Sequence, residues 1–388
     1  MSTVHISTNE LRPGMYIIPT DALWPNRPFL YSKGGFITSR AEIEDIIAQG
    51  YIEAFYDPDK SYEEPAETFL AEQALQVPIP PKIPLDAEIK PAETLYTNSV
   101  EHMEHFFDEA RHGQIKTKPV QHLVSHLLGS MDRNQDALTS LAKIKSYHEY
   151  TFTHCLNVAI FALAFGRQLN LAPKELELLG MAALFHDLGK TCIPKRILDA
   201  PRKLTHAEFA IIQTHSQHGA TLLQKVPSIP KQVIQGVLDH HEKYNGHGYP
   251  NHKKGGEISA FGQIISVADV YDALSADRAY RTAISPNNAL ATMYGMRDTW
   301  QPGLCETFIK TLGIYPVGSC VRLTMGYIGI VSQSNFQAPL YPTVILCIAP
   351  DGSAINPPQK LDLATQHDLQ ILRVLPSSTI DVTLTDLL

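Results

Sequence analysis

Side chains able to hold a transition metal recur through the middle of this chain. They are His154, the pair His186–Asp187, His215, the pair His240–His241 and Asp269. Imidazole nitrogen with carboxylate oxygen suits first-row transition ions, and one aspartate can bridge two of them. Several lie at the ends or centres of apolar stretches such as MAALFHDLGK, IIQTHSQHG and IISVADVYDAL. Polar groups are costly there unless something pairs them. Any one of these residues alone reads as a satisfied core or surface histidine. An HD pair, a single histidine, an HH pair and a late aspartate on successive helices together point to a metal centre. By contrast His102, His105, His122 and His126 fall in polar or amphipathic helical sequence and read as a solvated face.

The elements that must carry these groups are mostly helices. Successive residues on a helix differ by about 100° of rotation. His186 and Asp187 can therefore face one cavity from slightly different angles, which suits a terminal imidazole beside a bridging carboxylate. Lys190, one turn on, can offset negative charge at a phosphate or leaving oxygen; by position alone it reads equally as a helix C-terminal lysine. Thr205 with Glu208 fits a capping box. Ser285 before Pro286 fits an N-cap with proline at the first helical position, and Pro173 can open a helix the same way.

The expected fold class is mainly α, with a small α/β domain at 1–60 and a Pro/Glu-rich linker at 61–92. A helical region follows at 93–313, and a small β module at 314–388. PIPPKIP favours extended polyproline geometry. VGSCVRLTMGYIGIVSQSNF and YPTVILCIAPDG alternate with period two and are rich in β-branched residues, as antiparallel strands require. Leu123, Leu127, Leu128, Met131, Leu138 and Leu141 form an apolar stripe, either a homodimer seam or a face packed on its own domain.

With 388 residues, 44% of them hydrophobic and 19% charged, the chain has material for two or three domains. A net charge of −8 argues against a nucleic-acid coat or a polybasic membrane binder. The five cysteines are scattered without a C-x-x-C pair, which fits buried thiols in a reducing compartment. No basic-then-apolar leader and no run long enough to span a membrane stand out, so a cytoplasmic location is expected.

The residues HDLGK (186–190), HHEKYNGHGYP (240–250) and ADVYDALSADRAYR (268–281) together resemble the HD-GYP domain, a branch of the HD phosphohydrolase superfamily. The match at His240, His241, Glu242, Gly246, Gly248, Tyr249 and Pro250 is residue for residue. Coverage is roughly 145–330, and residues 4–57 resemble the small N-terminal domain that often precedes HD-GYP domains. The resemblance implies a helical metal-dependent phosphohydrolase that cleaves a 3′,5′-cyclic dinucleotide, with cyclic di-GMP foremost, to the linear dinucleotide and in some members to GMP. It implies that His154, His186, Asp187, His215, His240, His241 and Asp269 hold two divalent ions, commonly iron or manganese.

Lys190 would then act near the phosphate, and Asp272, at i+3 from Asp269, would orient Lys190 or a ligand histidine. Arg278 and Arg281 would clamp phosphate. Gly246 and Gly248, with positive φ, would let the loop approach the ligand, with Tyr249 offering a ring and a hydroxyl and Pro250 stiffening the exit.

Two departures stand out. Some members hold a third metal through a glutamate one turn before the first histidine; here that position is Tyr150, while Glu149 is turned away, which favours two ions. Asn245 replaces the aspartate common before the first loop glycine. Rival readings are hydrolysis of 3′,3′-cyclic GMP-AMP, or a cyclic-dinucleotide receptor that contacts diguanylate cyclases through the GYP loop. A receptor that has lost catalysis should lack metal residues, and none is missing.

Overall fold

The structure, a computed structural model, describes residues 3–8, 11, 15–18, 30–31, 35–37, 40–58, 80–144, 150–200, 202–276, 284–335, 338–366, 368–376, 379–380, 382 and 384–388. The chain divides into two compact units, Met1–Glu72 and Gln73–Leu388.

The first unit has the expected α/β character. Strands β1 (Val4–Ser7), β2 (Tyr16–Ile17), β4 (Gly35–Phe36) and β5 (Glu53–Asp57) pair antiparallel in the order β1-β5-β2-β4, and β3 (Leu30–Tyr31) runs parallel to β5. Helix α1 (Arg40–Ala48) lies between β4 and β5 in sequence. Leu11, Ile17, Tyr31, Ile37, Ile46 and Ala54 form its core.

The second unit opens with α2 (Leu85–Arg111), which begins inside the stretch expected to be linker. Pro84 is its N-cap residue in extended backbone, and Pro91 is carried within the helix; the start of PIPPKIP lies outside the described residues. Proline at the entry has the φ a helix needs, which is why a Pro-rich run can lead straight into one. Buried Glu88 in the first turn ties α2 to α3 (Thr117–Ile144), accepting from Ser130 Oγ at 2.7 Å and from Arg133 Nε at 2.7 Å.

Asn134 breaks α3 with φ −155° and ψ 107°. Its side chain accepts from the Asp136 amide, capping the second half, and donates to the Ile83 carbonyl. Of the apolar stripe, Leu123, Leu127, Met131, Leu138 and Leu141 are buried within this unit and offer no dimer seam.

Helix α4 (Tyr150–Gln168) is the hub, packed by α2, α3, α5 (Pro173–Phe185) and α9 (Ala260–Ser275). Cys155, Leu156 and every residue from Val158 to Phe165 are buried, the pattern of a helix surrounded on all sides. The other long helices of the unit are α6 (His206–Gln213), α7 (His215–Gln224), α8 (Lys231–Asp239), α10 (Pro286–Gly295) and α11 (Leu304–Leu312), the last also packed on α4.

The helix starts expected at Pro173, Thr205 and Ser285–Pro286 are present. The Thr205 hydroxyl accepts from the Glu208 amide while the Glu208 carboxylate accepts from the Thr205 amide.

A five-stranded antiparallel sheet follows: β6 (Cys320–Leu323), β7 (Ile328–Gln333), β8 (Thr343–Ile348), β9 (Ala354–Asp362) and β10 (Ile371–Leu375), in the order β10-β6-β7-β8-β9. The Lys143 ammonium at the end of α3 donates to the carbonyls of Pro316 and Val317 and to Ser319 Oγ, joining bundle and sheet. Among the described residues, no helix is long and apolar enough to cross a membrane.

Candidate metal centre

Five elements deliver the seven expected ligands to one buried pocket. His154 comes from the second turn of α4, and Asp269 from α9. His186 is the C-cap residue of α5, with Asp187 next to it, and His240 is the C-cap residue of α8, with His241 next to it. His215 opens α7 directly after the C-cap of α6.

Three of these histidines share one local device. The Nδ1–H groups of His186, His215 and His240 donate to the carbonyls of Ala183, Ile212 and Val237, each at 2.7 Å and each three residues earlier. Carbonyls in the last turn of a helix lack intrahelical partners, so the helix end itself provides the acceptor. That bond holds the proton on Nδ1 and turns the Nε2 lone pair inward.

The Nε2 atoms of His215 and His240 then face each other at 3.2 Å. Both rings already carry their proton on Nδ1, so no hydrogen lies between the two lone pairs. Burial lowers the pKa of both imidazoles, His240 well below its ordinary value. A proton therefore does not fill the gap; a cation would.

Besides a group of Cys155, His186 and Asp187, the candidate ligand atoms among the described residues form two groups, one of His215, His240 and His241 and one of His154, His186 and Asp269. Asp187 lies between them. Its Oδ1 is 3.3 Å from His215 Nε2, and its Oδ2 is 3.5 Å from His186 Nε2 and 3.6 Å from His154 Nε2. The two oxygens of one carboxylate thus face two sites, the arrangement a bridging ligand needs.

His154 Nε2 is 3.1 Å from Asp269 Oδ1 and 3.3 Å from His186 Nε2. Its Nδ1–H donates to Asp272 Oδ2 at 2.7 Å. Asp272 therefore meets His154, one of the expected ligands, rather than Lys190, whose partner is Asp187 Oδ2 at 2.5 Å.

Electrostatics follow from this mixture. Burial opposes ionisation of Asp187, but the Lys190 ammonium and the surrounding imidazoles hold its carboxyl well below the usual range. Burial likewise opposes charge on Asp269, and the hydrogen bond from His154 outweighs it. Burial works against the His154 imidazolium, yet Asp269 and Asp272 raise its pKa to about 9. Cys155 adjoins the same cluster, and burial pushes its thiol well up, so it stays protonated.

The loop after His241 is built from within. Buried Glu242 accepts from the amides of Asn251 at 2.6 Å and Lys253 at 3.0 Å. Buried Asp239 accepts from Lys253 Nζ at 2.7 Å and from the Ser259 amide at 3.0 Å. Gly246 has φ +83°, as expected, but Gly248 does not lie in the left-handed region. A β-carbon on Gly248 would stand 2.3 Å from the Lys243 nitrogen and 2.4 Å from the Glu242 α-carbon. Close passage of the loop over its own backbone, not positive φ, requires that glycine.

The Tyr249 ring lies over His241, centroids 4.7 Å apart and tilted 33°, and Tyr249–Pro250 is a cis peptide. Asn245 Oδ1 accepts from the His247 amide at 3.1 Å, a hydrogen bond within the loop. Arg278, Arg281 and Glu149 lie outside the described residues, as does the side chain of Tyr150.

Asp239, Lys253, Asn157 and Tyr96 were not singled out in sequence. Asn157 gave one signal: an amide three residues after His154 inside the otherwise apolar NVAIFALAF. His102, His105, His122 and His126 are exposed, as expected.

Residues 123–301 match the HD domain family, and residues 3–119 match a domain of unknown function, DUF3391. The chain is 32% identical over 366 residues to the cyclic di-GMP phosphodiesterase PA4108 of Pseudomonas aeruginosa, spanning 92% of this chain and 88% of that one. It is 40% identical over 168 residues to the 3′3′-cGAMP-specific phosphodiesterase 3 of Vibrio cholerae, spanning 43% of this chain and 36% of that one. Among solved structures, Bd1817 of Bdellovibrio bacteriovorus, an HD-GYP-type protein, aligns with a TM-score of 0.47 and 17% identity over 80% of this chain and 98% of its own. Similar to a phosphodiesterase along nearly its whole length, matching the HD domain, and gathering the HD and GYP residues around one pocket, the chain belongs to the HD-domain phosphohydrolase family, in its HD-GYP branch.

Proposed function

We propose that this protein is a metal-dependent phosphodiesterase that opens cyclic di-GMP to the linear dinucleotide. The observation that carries the reading is the pair of inward Nε2 lone pairs on His215 and His240, 3.2 Å apart beside the two-faced Asp187 carboxylate. Extended similarity to a cyclic di-GMP phosphodiesterase gives the substrate class.

Two divalent ions, iron or manganese, would be held by His154, His186, Asp187 and Asp269 on one side and by His215, His240, His241 and Asp187 on the other. Such ions supply Lewis-acid polarisation of a phosphodiester and ionisation of an attacking water near neutral pH. Water oxygen bonds to phosphorus as the P–O3′ bond breaks, leaving one 5′-phosphate on the linear product. Lys190, which meets Asp187 at the pocket edge, offsets negative charge gathering on the phosphoryl oxygens. Tyr249 presents its ring to a base, and the loop held by Glu242 and Asp239 forms the adjoining wall with Gly248 and Pro250. Arg278 and Arg281 contribute phosphate contacts by their place in the motif.

The test uses anaerobically purified chain, its metal content measured and iron or manganese restored. Cyclic di-GMP and 3′,3′-cyclic GMP-AMP are supplied separately, and the products are resolved by chromatography. Linear pGpG or GMP from cyclic di-GMP is the expected result. Turnover of the GMP-AMP ring alone would transfer the assignment to that substrate. Metal retention without turnover of either would make the protein a receptor.

A further inference from the structure

His186, His215 and His240 take their Nδ1 partner from backbone, whereas His154 takes it from the Asp272 side chain. That carboxylate is itself held. Asn157 Nδ2 donates to Asp272 Oδ1 at 3.0 Å, and Tyr96 Oη donates to Asn157 Oδ1 at 2.8 Å. All four side chains are at least 97% buried, with exposures of 2% for Tyr96, 1% for Asn157, 2% for Asp272 and 3% for His154. Asn157 is one helical turn beyond His154 on α4, Asp272 is on α9, and Tyr96 is on α2, outside the residues that match the HD domain.

The order of donors is determined from the tyrosine inward. A phenol has one proton and an amide has two distinct ends. Burial, with the charge of Asp272, pushes the Tyr96 phenol above its ordinary value, so it keeps that proton and donates it. The Asn157 oxygen must then face Tyr96, which turns the amide NH2 toward Asp272. With the amide reversed, its oxygen would confront a carboxylate oxygen at hydrogen-bond distance. Held on Oδ1, Asp272 presents Oδ2 to His154 Nδ1–H, and His154 Nε2 points at Asp269 and His186.

We propose that Tyr96 and Asn157 are positioning residues of the metal centre, acting through Asp272 on the orientation and basicity of His154. The lead-in helix α2 thereby takes part in metal retention. This deepens the metal-dependent reading above and rests on it.

The test compares Tyr96→Phe, Asn157→Leu and the control Ser130→Ala in the full chain. Ser130→Ala cuts a different buried hydrogen bond that holds the same helix, the one to Glu88. Two quantities are read for each: the Mn²⁺ dissociation constant by chelator competition, and the unfolding midpoint of the metal-free protein. Partners behind a metal ligand typically contribute about 10–100-fold to affinity, so Asn157→Leu should weaken Mn²⁺ binding by roughly that factor and Tyr96→Phe by about tenfold or somewhat less. Ser130→Ala should lower the midpoint yet leave the Mn²⁺ constant within about twofold of wild type.

Midpoints that fall in the two relay variants with wild-type Mn²⁺ affinity would overturn the proposal and leave only a packing role. Tyr96→Phe loses a single oxygen and carries the test if Asn157→Leu does not fold. Failure of the wild-type chain to bind either Mn²⁺ or Fe²⁺ would instead overturn the metal-dependent reading, and the relay with it.

Discussion

Gly189, in the HDLGK segment, sits where the turn after Asp187 meets the start of α7. A β-carbon there would stand 1.9 Å from the His215 carbonyl oxygen and 2.4 Å from the Gly219 nitrogen. Real β-carbons essentially never come within 3.0 Å of such atoms, so Gly189→Ala forces the two backbones about 1.1 Å apart, from 1.9 Å to 3.0 Å. Backbone cannot swing aside as a side-chain tip can. The atoms that must retreat belong to His215, whose Nε2 is 3.3 Å from Asp187 and 3.2 Å from His240.

Overpacking of a filled site costs about 1–3 kcal/mol, and at about 2–4 °C per kcal/mol the unfolding midpoint should fall by roughly 2–12 °C. A misplacement of about 1 Å at a reacting site can cost roughly 100-fold in rate. The assay pairs metal content and hydrolysis rate with thermal unfolding. Gly129→Ala is the comparison: on α3 its β-carbon would meet only Arg133 Nη1, at 3.9 Å. In a helix interior that change should stabilise by up to about 1 kcal/mol. The same substitution is thus expected to act with opposite signs at two places. A Gly189→Ala protein matching Gly129→Ala in midpoint, metal content and rate would refute the packing argument.

Other perturbations separate the parts of the site. Asp187→Ala removes the carboxylate facing both ligand groups and should abolish metal retention and hydrolysis together; full activity in a metal-loaded variant would sink the bridging assignment. Glu242→Gln turns an amide donor toward one of the backbone N–H groups that the carboxylate accepts from, at a cost of about 1–3 kcal/mol; KM for the cyclic dinucleotide should rise while metal content by mass spectrometry stays the same. At α6, the Arg202 guanidinium beside Glu208 and the capping bonds from Thr205 lower that carboxyl from 4.5 to about 2. Its stabilising effect is complete above the unfolded value of 4.5 and is lost as pH falls toward about 2. Hydrogen exchange at the first turn of α6 should therefore stay protected at pH 4 in wild type, and Arg202→Ala should shift the loss of protection upward, toward 4.5.

The residues that gather in the pocket were legible because histidine and aspartate are conspicuous inside apolar helices, and the cap signals at Pro173, Thr205 and Ser285 are local chemistry. What stayed hidden depends on distance in space. Spacing puts Asp272 on the same face as Asp269 but cannot say whether His154 or Lys190 meets it. Glu242 and Asp239 organise a loop through amides nine or more residues away, which no short window records. Gly248 was read as a conformational glycine, whereas it is a steric one, and only the path of the folded loop tells these apart. The start of α2 at Leu85 was masked by PIPPKIP, where extended composition runs directly into a helix.

Three of the clustered imidazoles are aimed by helix ends, and this divides the pocket into parts that should respond differently to substitution. A carbonyl three residues back is present whatever side chain occupies that position. Substitutions around His186, His215 and His240 therefore leave their orientation intact so long as the helices end where they do. His154 has a side-chain acceptor, so a single codon change can alter its character. Among these four histidines, a substitution at Asp272 should therefore reach His154 alone, while the helix-end histidines keep their orientation.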